Sequence, residues 1–380
     1  MKNIVNKNFS SAYLSGFTQA DGNFHVGFQK ISNYSIGVRV TPKFSLTQHI
    51  RAKPLFEELK FNLGVGHVVT HRSDVNYVVN SLPHIKDKLL PLFDAYPLRA
   101  GKLESYMRFK YVIDMMDNKQ HLNKEGLANI VNNSYLMNTA SSRTEDKKQE
   151  LLKLIGYEGN LKIEELILPK LPPINSDFVS GLTDGDGSFF IGFRGNGRIT
   201  ASYTVIQESS CKSVLEELVD YFNCGKVYDL KSKSSRFQVE NLDDICNKII
   251  PNFKNNELLT DKNTHFHLFS RACELIQNKA HKTQEGLVEI IDLAYNMNKE
   301  GKGRKLTKEE YTNLMLSKFK SSPKLIGLEE LDVDLTSEVD DYTDSTSMEG
   351  NPYYHMTKDL DNFGNSEILT NLDLLDKKKS

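Results

Sequence analysis

The chain has 380 residues, of which 39% are hydrophobic and 26% are charged, which is typical of a globular protein. No stretch approaches the roughly 20 consecutive apolar residues that a membrane-spanning helix needs. The start, MKNIVNKNFSSAYLSGF, resembles neither a secretory signal nor an organellar import leader, so we expect the chain to act where it is made.

The net charge of −2 conceals two regions of opposite sign. Residues 321–380 contain 14 Asp and Glu against 5 Lys, whereas the rest of the chain contains 43 basic and 36 acidic residues. A basic body can attract a polyanion, although so modest an excess also occurs on surfaces without such a role. The acidic segment lacks sustained apolar periodicity, and we predict a disordered tail over 321–380.

The first predicted element is a helix within SAYLSGFTQADG, for which Ser10 and Ser11 are suitable N-caps. Apolar residues alternate directly after its terminal glycine, at Phe24, Val26 and Phe28. This period of two predicts a strand with those side chains facing the core and polar side chains on the other face. An antiparallel sheet with one apolar and one polar face follows.

The same pattern returns about 160 residues later, which indicates a duplicated domain. SAYLSGFTQADGNFHVGFQ at 11–29 matches SDFVSGLTDGDGSFFIGFR at 176–194, with Ser176 and Asp177 as the corresponding N-cap candidates. The segments 117–138 and 276–298 match in the same order. We predict an α+β fold of two αββαββα repeats, related by a pseudo-twofold axis, with saddle-shaped antiparallel sheets. The predicted boundaries are 1–140 and 176–320 for the repeat domains, 141–175 for the linker and 321–380 for the tail.

All four cysteines lie in the second half of the chain. They form no CxxC pair, and no pair of histidines at zinc-ligand spacing accompanies them. We expect buried, reduced thiols rather than a zinc site. The residues are Cys211, Cys224, Cys246 and Cys273.

Small residues recur four apart in each motif helix, at Gly16 and Ala20 and again at Gly181 and Gly185. This spacing places a flat stripe on one helix face, through which two helix backbones can approach closely. We therefore predict that the two motif helices pack against each other at the interface between the repeats.

Such packing brings together the last acidic residue of each motif, Asp21 and Asp186. Two carboxylates at adjoining negative helix ends are unfavourable unless a cation lies between them. Oxygen ligands without nearby Cys or His favour a hard ion such as Mg²⁺, which can activate water for phosphodiester hydrolysis. A single copy would be better explained as a helix-end residue, but duplication at matched positions favours function. A calcium loop starting at DGDGS is excluded, because Phe189 and Gly195 stand where that loop needs glycine and glutamate.

The two motif segments resemble the paired motifs of the LAGLIDADG homing endonucleases of the single-chain type, over about residues 1–310. In that family the last acidic residue of each motif binds the catalytic metals. The resemblance implies that Asp21 and Asp186, with the preceding Ala20 and Gly185, bind two or three divalent ions, taken as Mg²⁺. Gln19 replaces the first acid of the motif, which Asp184 retains, and little depends on this difference.

The resemblance implies further site residues at matched offsets in the two repeats. A polar residue at the end of the second strand helps to order active-site water, which corresponds to Gln48 and Gln207. A lysine before the following long helix supports the charged transition state, which corresponds to Lys102 and Lys262. Each is unremarkable alone, and a lysine near phosphates can also simply anchor the DNA backbone.

The polar faces of the two sheets are the predicted DNA-binding surface, since two-stranded ribbons fit the major groove. A third or more of the candidates are expected to contact no base, roughly, because many contacts only position phosphates. In the first repeat the candidates are Asn23, His25, Gln29, Arg39, Thr41, Lys43, Ser45, Thr70, Arg72 and Asn76. In the second they are Ser188, Phe190, Arg194, Arg198, Thr200, Ser202, Thr204, Lys231, Lys233, Arg236 and Gln238.

Histidine-based nuclease chemistry is not indicated, because His71, His121 and His281 form no local signature. His121 and His281 occupy the same repeat position, which suits structure better than catalysis.

We predict a monomeric, Mg²⁺-dependent endonuclease that makes a staggered double-strand cut in a long, non-palindromic DNA site. Two diverged repeats in one chain present two different surfaces, whereas a homodimer would need a symmetric site. The alternatives are an RNA maturase, with the host intron RNA as its partner, and a DNA-binding protein that has lost catalysis. The richness in Asn, Lys and Ile and the resemblance to intron-encoded proteins suggest synthesis inside a mitochondrion.

Overall fold

The computed structural model describes residues 9–32, 35–137, 143–193, 198–297 and 306–321. The predicted DNA contact Arg194 and the predicted tail beyond Ser321 lie outside these ranges. Within them, no helix combines the length and the apolar character needed to cross a membrane.

The first half of the chain builds one sheet and its helices. Its elements are α1 (Ser11–Asp21), β1 (Gly22–Lys30), β2 (Val38–His49), α2 (Lys53–Leu63), β3 (His67–His71), β4 (Asp74–Val79), α3 (Leu82–His84), α4 (Leu90–Ala95), α5 (Ala100–Asp117), α6 (Lys124–Tyr135) and α7 (Glu145–Ile155). A π-helical turn, Ile85–Leu89, joins α3 to α4.

The second half repeats this order. Its elements are α8 (Ser176–Asp186), β5 (Gly187–Phe193), β6 (Ile199–Glu208), α9 (Lys212–Phe222), β7 (Lys226–Asp229), β8 (Ser234–Val239), α10 (Leu242–Asp244), α11 (Ile250–Asn255), α12 (Lys262–Gln277), α13 (Gln284–Asn296) and α14 (Lys308–Ser321). Helix α14 follows α13 as α7 follows α6 in the first half. A second π-helical turn, Ile245–Ile249, joins α10 to α11.

Each half contains a four-stranded antiparallel sheet, with the strand orders β1-β2-β4-β3 and β5-β6-β8-β7. The apolar side chains that alternate along β1 and β5 face the core, as predicted. Phe24 and Val26 are buried in one sheet, and Phe189 and Ile191 are buried in the other. The α+β fold with two αββαββ units is therefore confirmed.

Helices α1 and α8 pack backbone to backbone. A Cβ atom on Gly16 would lie 1.9 Å from the Phe178 carbonyl oxygen, and one on Gly181 would lie 2.1 Å from the Tyr13 carbonyl oxygen. No side chain fits at either place, so the predicted packing of the motif helices through their small residues is confirmed.

The motif helices begin at equivalent N-caps, one of which was predicted wrongly. The Ser10 hydroxyl accepts a hydrogen bond from the Tyr13 amide at 3.0 Å, as expected for an N-cap. In the second repeat the N-cap is Asn175, whose side chain accepts from the Phe178 amide at 2.9 Å. The prediction of Ser176 or Asp177 was one or two residues late, because both hydrophilic residues already belong to the first turn.

Aromatic clusters fill the space between each sheet and its helices. Phe24 lies 5.3 to 5.5 Å, between ring centroids, from Phe44, Phe93 and Phe109. Phe189, at the equivalent place, makes similar contacts with Tyr203, Phe253 and Phe269 in the second core. Each core thus fixes the end of its own motif helix through the strand that follows it.

The segment predicted as a linker, 141–175, packs against the first core over part of its length. It contains α7, whose Leu152 and Ile155 are buried with the residues of the first sheet. Leu161 and Leu171 pack partly against the same cluster. We propose that α7 and the extended segment after it belong to the first repeat.

The cysteines are unpaired, as expected. Cys211 and Cys273 are buried, whereas Cys224 and Cys246 are only half-buried. The expectation of burial is therefore confirmed for two of the four thiols.

Candidate active site

Asp21 and Asp186 are the last residues of α1 and α8, and each is followed directly by a strand, β1 or β5. The chain turns from helix to strand with no intervening loop, at Gly22 and Gly187. A Cβ atom on Gly22 would lie 2.3 Å from the Thr18 Cγ2 atom, so only glycine permits this turn. Each aspartate is thereby held between a helix and a buried strand.

The structure brings the two predicted metal-binding carboxylates together. The space beside Gly185 is filled by the other helix: a Cβ atom there would lie 2.1 Å from the Ala20 Cβ and 2.8 Å from Asp21 Oδ2. Asp186 follows Gly185 in sequence, and the negative charge of Asp21 raises its pKa. The predicted pair thus forms one acidic centre shared by the two repeats.

A glutamine amide holds each carboxylate. The Gln48 amide nitrogen donates to Asp21 Oδ2 at 2.6 Å, and the Gln207 amide nitrogen donates to Asp186 Oδ2. Both glutamines lie near the ends of β2 and β6 and project toward the helices. Because each amide donates to the charged form, it fixes the orientation of that carboxylate.

The electrostatics of the pair are unfavourable without a cation. Burial raises the pKa of Asp21 above its usual range, and the hydrogen bond from Gln48 opposes this shift. Burial also raises the pKa of Asp186, and the neighbouring charge of Asp21 raises it further. Both effects disfavour two ionised groups, and a bound divalent cation would reverse them.

Lys102 and Lys262 reach the same centre from the first turns of α5 and α12. The Lys102 Nζ donates to the Gly22 carbonyl at 2.6 Å. The Lys262 Nζ donates to the carbonyls of Thr183 at 2.8 Å and Gly185 at 3.0 Å. All six residues predicted as catalytic therefore surround the ends of α1 and α8.

The donors at this centre fit a hard cation. Within the described ranges, no three or more His, Cys, Asp and Glu side chains form a group that could hold a metal ion. A cation here would be held by the two carboxylates, by carbonyl oxygens such as that of Gly185, and by water. An all-oxygen set of this kind suits Mg²⁺ or Ca²⁺ and does not suit zinc.

Gln19 and Asp184 have a structural role that the sequence analysis missed. Gln19 Oε1 accepts a hydrogen bond from the Arg99 amide at 2.8 Å, and Asp184 Oδ2 accepts one from the Leu259 amide at 2.6 Å. These amides occupy equivalent places in the loops before α5 and α12. The matched position of Gln19 and Asp184 in the two motifs was the signal that could have revealed this function.

Most predicted DNA contacts lie on one face of their sheet, opposite the core, or in the turns at its edge. The strand registers place Asn23, His25 and Gln29 across from Ser45, Lys43 and Arg39, with Thr41 and Asn76 on the same face. In the second sheet this face carries Ser188, Phe190, Thr200, Ser202, Thr204 and Gln238. The turn or strand-end residues are Arg72, Arg198, Lys231 and Lys233, all exposed.

Three of the predicted DNA contacts need correction. Thr70 pairs with Val75, whose side chain is buried in the core, so Thr70 lies on the opposite face of the sheet. Ser45 is only 3% exposed, because its directly paired neighbours on β1 and β4 enclose so short a side chain. Arg236 lies on the expected face but is only 8% exposed, next to its cross-strand partner Tyr228.

This outer face also carries residues that were not predicted from the sequence. Val69 and Tyr228 project from the edge strands β3 and β7, and they are 46% and 47% exposed. Thr47 donates to the Asn76 side chain at 2.6 Å. Arg143 donates to the Val26 carbonyl at 2.8 Å and lies 3.3 Å from the His25 ring. Only the strand register, which the short edge strands do not reveal, could have placed Val69 and Tyr228.

His121 and His281 occupy matching 3₁₀ turns before α6 and α13. Their Nδ1 atoms are buried, and burial lowers the pKa of both rings. Neither lies in the carboxylate centre, in agreement with a structural role.

Comparisons with known proteins agree with this geometry. The chain matches the family model described as LAGLIDADG endonuclease over residues 14–113 and 179–273. It is 41% identical over 262 residues to the Probable intron-encoded DNA endonuclease 1 of Mycosarcoma maydis, an alignment that covers 67% of this chain and 96% of that protein.

Two solved structures are similar over almost their whole length. One is the LAGLIDADG homing endonuclease I-GzeII in complex with its DNA target, with a TM-score of 0.68 and 27% identity over 77% of this chain and 99% of that one. The other is I-SmaMI bound to an uncleaved DNA target in the presence of calcium ions, with a TM-score of 0.69 and 29% identity over 76% of this chain and 99% of that one.

Proposed function

Since the chain belongs to the LAGLIDADG endonuclease family, we propose that it cuts both strands of a long, non-palindromic DNA site, using divalent cations bound between Asp21 and Asp186. The observation that carries the proposal is that the two carboxylates lie close together at the ends of α1 and α8. The close approach of the helices at Gly185 brings these acids together, and Lys102 and Lys262 offset their repulsion only in part, so that a bound cation would stabilise both ionised groups.

The protein's own groups have separate roles in this proposal. Asp21 and Asp186, with the carbonyls of Ala20 and Gly185, would hold the ions, for which we propose Mg²⁺. When bound, such ions activate water and stabilise the leaving oxygen of a phosphodiester. Gln48 and Gln207 orient the carboxylates.

The two lysines, one from each repeat, supply positive charge to the centre. The Lys102 ammonium group donates to the carbonyl of Gly22, the glycine that follows α1. The Lys262 ammonium group donates to the carbonyls of Thr183 and Gly185 in α8. We propose that each stabilises the negative charge that develops on a phosphate oxygen in the transition state.

The outer faces of the two sheets are the proposed DNA surface. Equivalent positions carry different side chains, such as His25 and Phe190, or Lys43 and Ser202. A single chain with two different faces should bind a site whose halves differ, and should act as a monomer. Binding of intron RNA by a maturase is not favoured, because the relatives that the chain resembles are named as endonucleases.

We also propose that the chain is made inside a mitochondrion. Its relative in Mycosarcoma maydis is named as intron-encoded. The amino-acid usage, rich in Asn, Lys and Ile, agrees with an AT-rich genome of this kind.

The test is a cleavage assay on duplex DNA that carries the uninterrupted insertion site of the reading frame. With Mg²⁺ the protein should cut both strands, and EDTA should prevent this. Asp21→Asn and Asp186→Asn should abolish cleavage and leave DNA affinity largely intact. Asp94→Asn removes a half-exposed carboxylate that pairs with Lys110 instead of with the groups of the centre, and it is the matched control. No cutting by the wild type, together with tight binding of the host intron RNA, would favour the maturase instead.

A further inference from the structure

We propose that Tyr13 is a positioning residue, whose hydroxyl acts through Asp184 to hold the loop that places Lys262 beside the motif carboxylates. Tyr13 belongs to the first repeat, and Asp184 and Lys262 belong to the second. The inference rests on the proposed endonuclease function and assigns this tyrosine a role in the cutting of one strand.

A buried network connects Tyr13 to the loop before α12. The Tyr13 hydroxyl donates to Asp184 Oδ2 at 2.5 Å, and these residues are 3% and 2% exposed. The same oxygen accepts from the Leu259 amide at 2.6 Å. Asp184 Oδ1 accepts from the Thr260 hydroxyl at 2.5 Å and from its amide at 3.3 Å. One carboxylate thus joins α1 to two successive loop residues.

The network continues to the lysine. The Thr260 hydroxyl oxygen accepts from the Lys262 amide at 3.2 Å, which fixes the start of α12. The Lys262 Nζ then reaches the carbonyls of Thr183 and Gly185, the two neighbours of Asp184 in α8. These bonds form a closed ring, so a shift of the loop would displace the ammonium group from the centre.

The first repeat keeps only part of this network: Gln19 accepts from the Arg99 amide, as Asp184 accepts from the Leu259 amide, but no tyrosine hydroxyl joins it. Phe178 stands at the position equivalent to Tyr13 and has no hydroxyl. It packs instead under Arg99, whose guanidinium carbon lies 5.6 Å from the ring centroid. Arg99 also pairs with Glu217 at 3.2 Å and donates to the Pro172 carbonyl at 2.7 Å. The loop before Lys102 therefore shares the bond to its backbone amide but is otherwise held by contacts of Arg99 that do not involve a tyrosine.

The asymmetry has a measurable consequence. The two lysines approach the carboxylates from opposite repeats, and the two strands of a duplex are related by a similar twofold axis. Each lysine should therefore act on one strand. Loss of the Tyr13 hydroxyl should slow the cut that depends on Lys262 more than the cut that depends on Lys102.

The matched comparison is Tyr13→Phe against Tyr106→Phe. Tyr106 is also buried, and its hydroxyl donates to the Leu90 carbonyl at 3.0 Å and to Asp94 at 2.8 Å, away from the loop. Single-turnover cleavage is measured on a duplex with each strand labelled separately. Tyr13→Phe should change the ratio of the two strand-cleavage rates on the order of tenfold, because small displacements of a catalytic group cost this much or more. Lys262→Met should slow the same strand, and Tyr106→Phe should leave the ratio unchanged.

Amide hydrogen exchange provides a readout that does not depend on cleavage. Exchange at Leu259 and Thr260 should be faster in Tyr13→Phe than in the wild type, and unchanged in Tyr106→Phe. An unchanged strand ratio in a variant that cuts, or unchanged exchange at these two amides, would overturn the proposal. If the wild type cuts no DNA, the endonuclease function fails, and the exchange rates alone still decide whether Tyr13 orders the loop.

Discussion

Gly16 faces the carbonyl of Phe178 so closely that a Cβ atom would lie 1.9 Å from its oxygen. The contact recurs in reverse between Gly181 and the carbonyl of Tyr13, at 2.1 Å. The two helices that end in Asp21 and Asp186 are therefore in backbone contact, and the separation of these acids depends on two glycines. The interface between the repeats and the candidate active site are thus one structural unit.

Gly16→Ala should destabilise the protein, because the added methyl group forces α1 away from α8. Overpacking of this kind costs about 1–3 kcal/mol or more in the free energy of unfolding. Urea denaturation measures the loss. Gly101→Ala is the control, since the nearest atom to a Cβ there is the Ser210 hydroxyl oxygen, at 3.1 Å, at the end of a side chain that can rotate away. Equal unfolding midpoints for the two variants would contradict the close packing.

Asp186→Asn should stabilise the protein when no divalent cation is present. The pKa of Asp186 is raised in the folded protein, so its carboxyl favours folding only when protonated, and this contribution is lost as the pH rises through the folded-state pKa. The gain from the neutral amide should therefore be larger at pH 8 than at pH 5.

The melting temperature with EDTA, followed at both pH values, tests this expectation. Added Mg²⁺ should stabilise the wild type more than the variant, because a ligand that binds only the folded state raises its stability. A variant less stable than the wild type at pH 8 in EDTA would show that ionised Asp186 does not destabilise the folded protein.

Lys102→Met and Lys262→Met should each lower the rate of DNA cleavage without weakening DNA binding. Each ammonium group lies against the ends of the motif helices, where it can act on charge that forms only during reaction. The rate loss should be on the order of a hundredfold for the affected strand. Lys43→Met, on the outer face of the first sheet, should instead weaken DNA binding and leave the single-turnover rate unchanged. Weaker binding by the Lys262 variant, with normal single-turnover rates, would assign that lysine to the DNA surface instead.

Arg39→Ala should weaken DNA binding and make it less sensitive to salt. Arg39 is exposed on the outer face of β2, across from Gln29. Loss of one phosphate contact should reduce the slope of log K against log salt concentration by about 0.9. Lys86→Ala, which removes one positive charge from an exposed ion pair with Asp117, is the control. Identical salt slopes for both variants would show that Arg39 contacts no phosphate.

The sequence was sufficient to predict the parts of the site that depend on repetition. Asp21 and Asp186, the paired glutamines and the paired lysines stand at matched offsets, and a duplicated fold places matched residues around one axis. The small-residue spacing added a physical reason for the helices to meet. The meeting of the two aspartates needs only the order of elements and the helical period, whereas the glutamines and lysines were identified through the resemblance to the family.

The remaining features depend on contacts between residues that differ in the two repeats. Tyr13 bonds to Asp184 across 171 positions, and no repeat partner signals this contact because Phe178 has no hydroxyl. Thr70 was assigned to the wrong face because a five-residue edge strand does not fix its own register. Ser45 lies on the predicted face of the sheet, but its side chain is too short to be exposed between its neighbours.

The segment between the repeats also depends on residues that differ in the two repeats, since three asparagines of α6 form hydrogen bonds with its backbone. The Asn129 side chain accepts from the Lys162 amide at 2.9 Å, and the Asn132 amide donates to the Lys162 carbonyl at 3.0 Å. The Asn133 side chain accepts from the Glu164 amide at 3.0 Å. The equivalent positions of α13 carry Glu, Asp and Leu, so this arrangement is specific to the first repeat.

Asn133→Leu, which introduces the residue found at the equivalent position 293, should therefore destabilise the protein. Asn133 is fully buried, and leucine would leave the Glu164 amide without its partner, at a cost of about 1–3 kcal/mol. Urea denaturation should show the loss, and amide exchange at Lys162 and Glu164 should quicken. Asn118→Leu is the control, because the exposed Asn118 side chain donates only to the Asp114 carbonyl of its own helix. If exchange at Glu164 were unchanged in Asn133→Leu, the asparagines would not be what holds the connecting segment against α6.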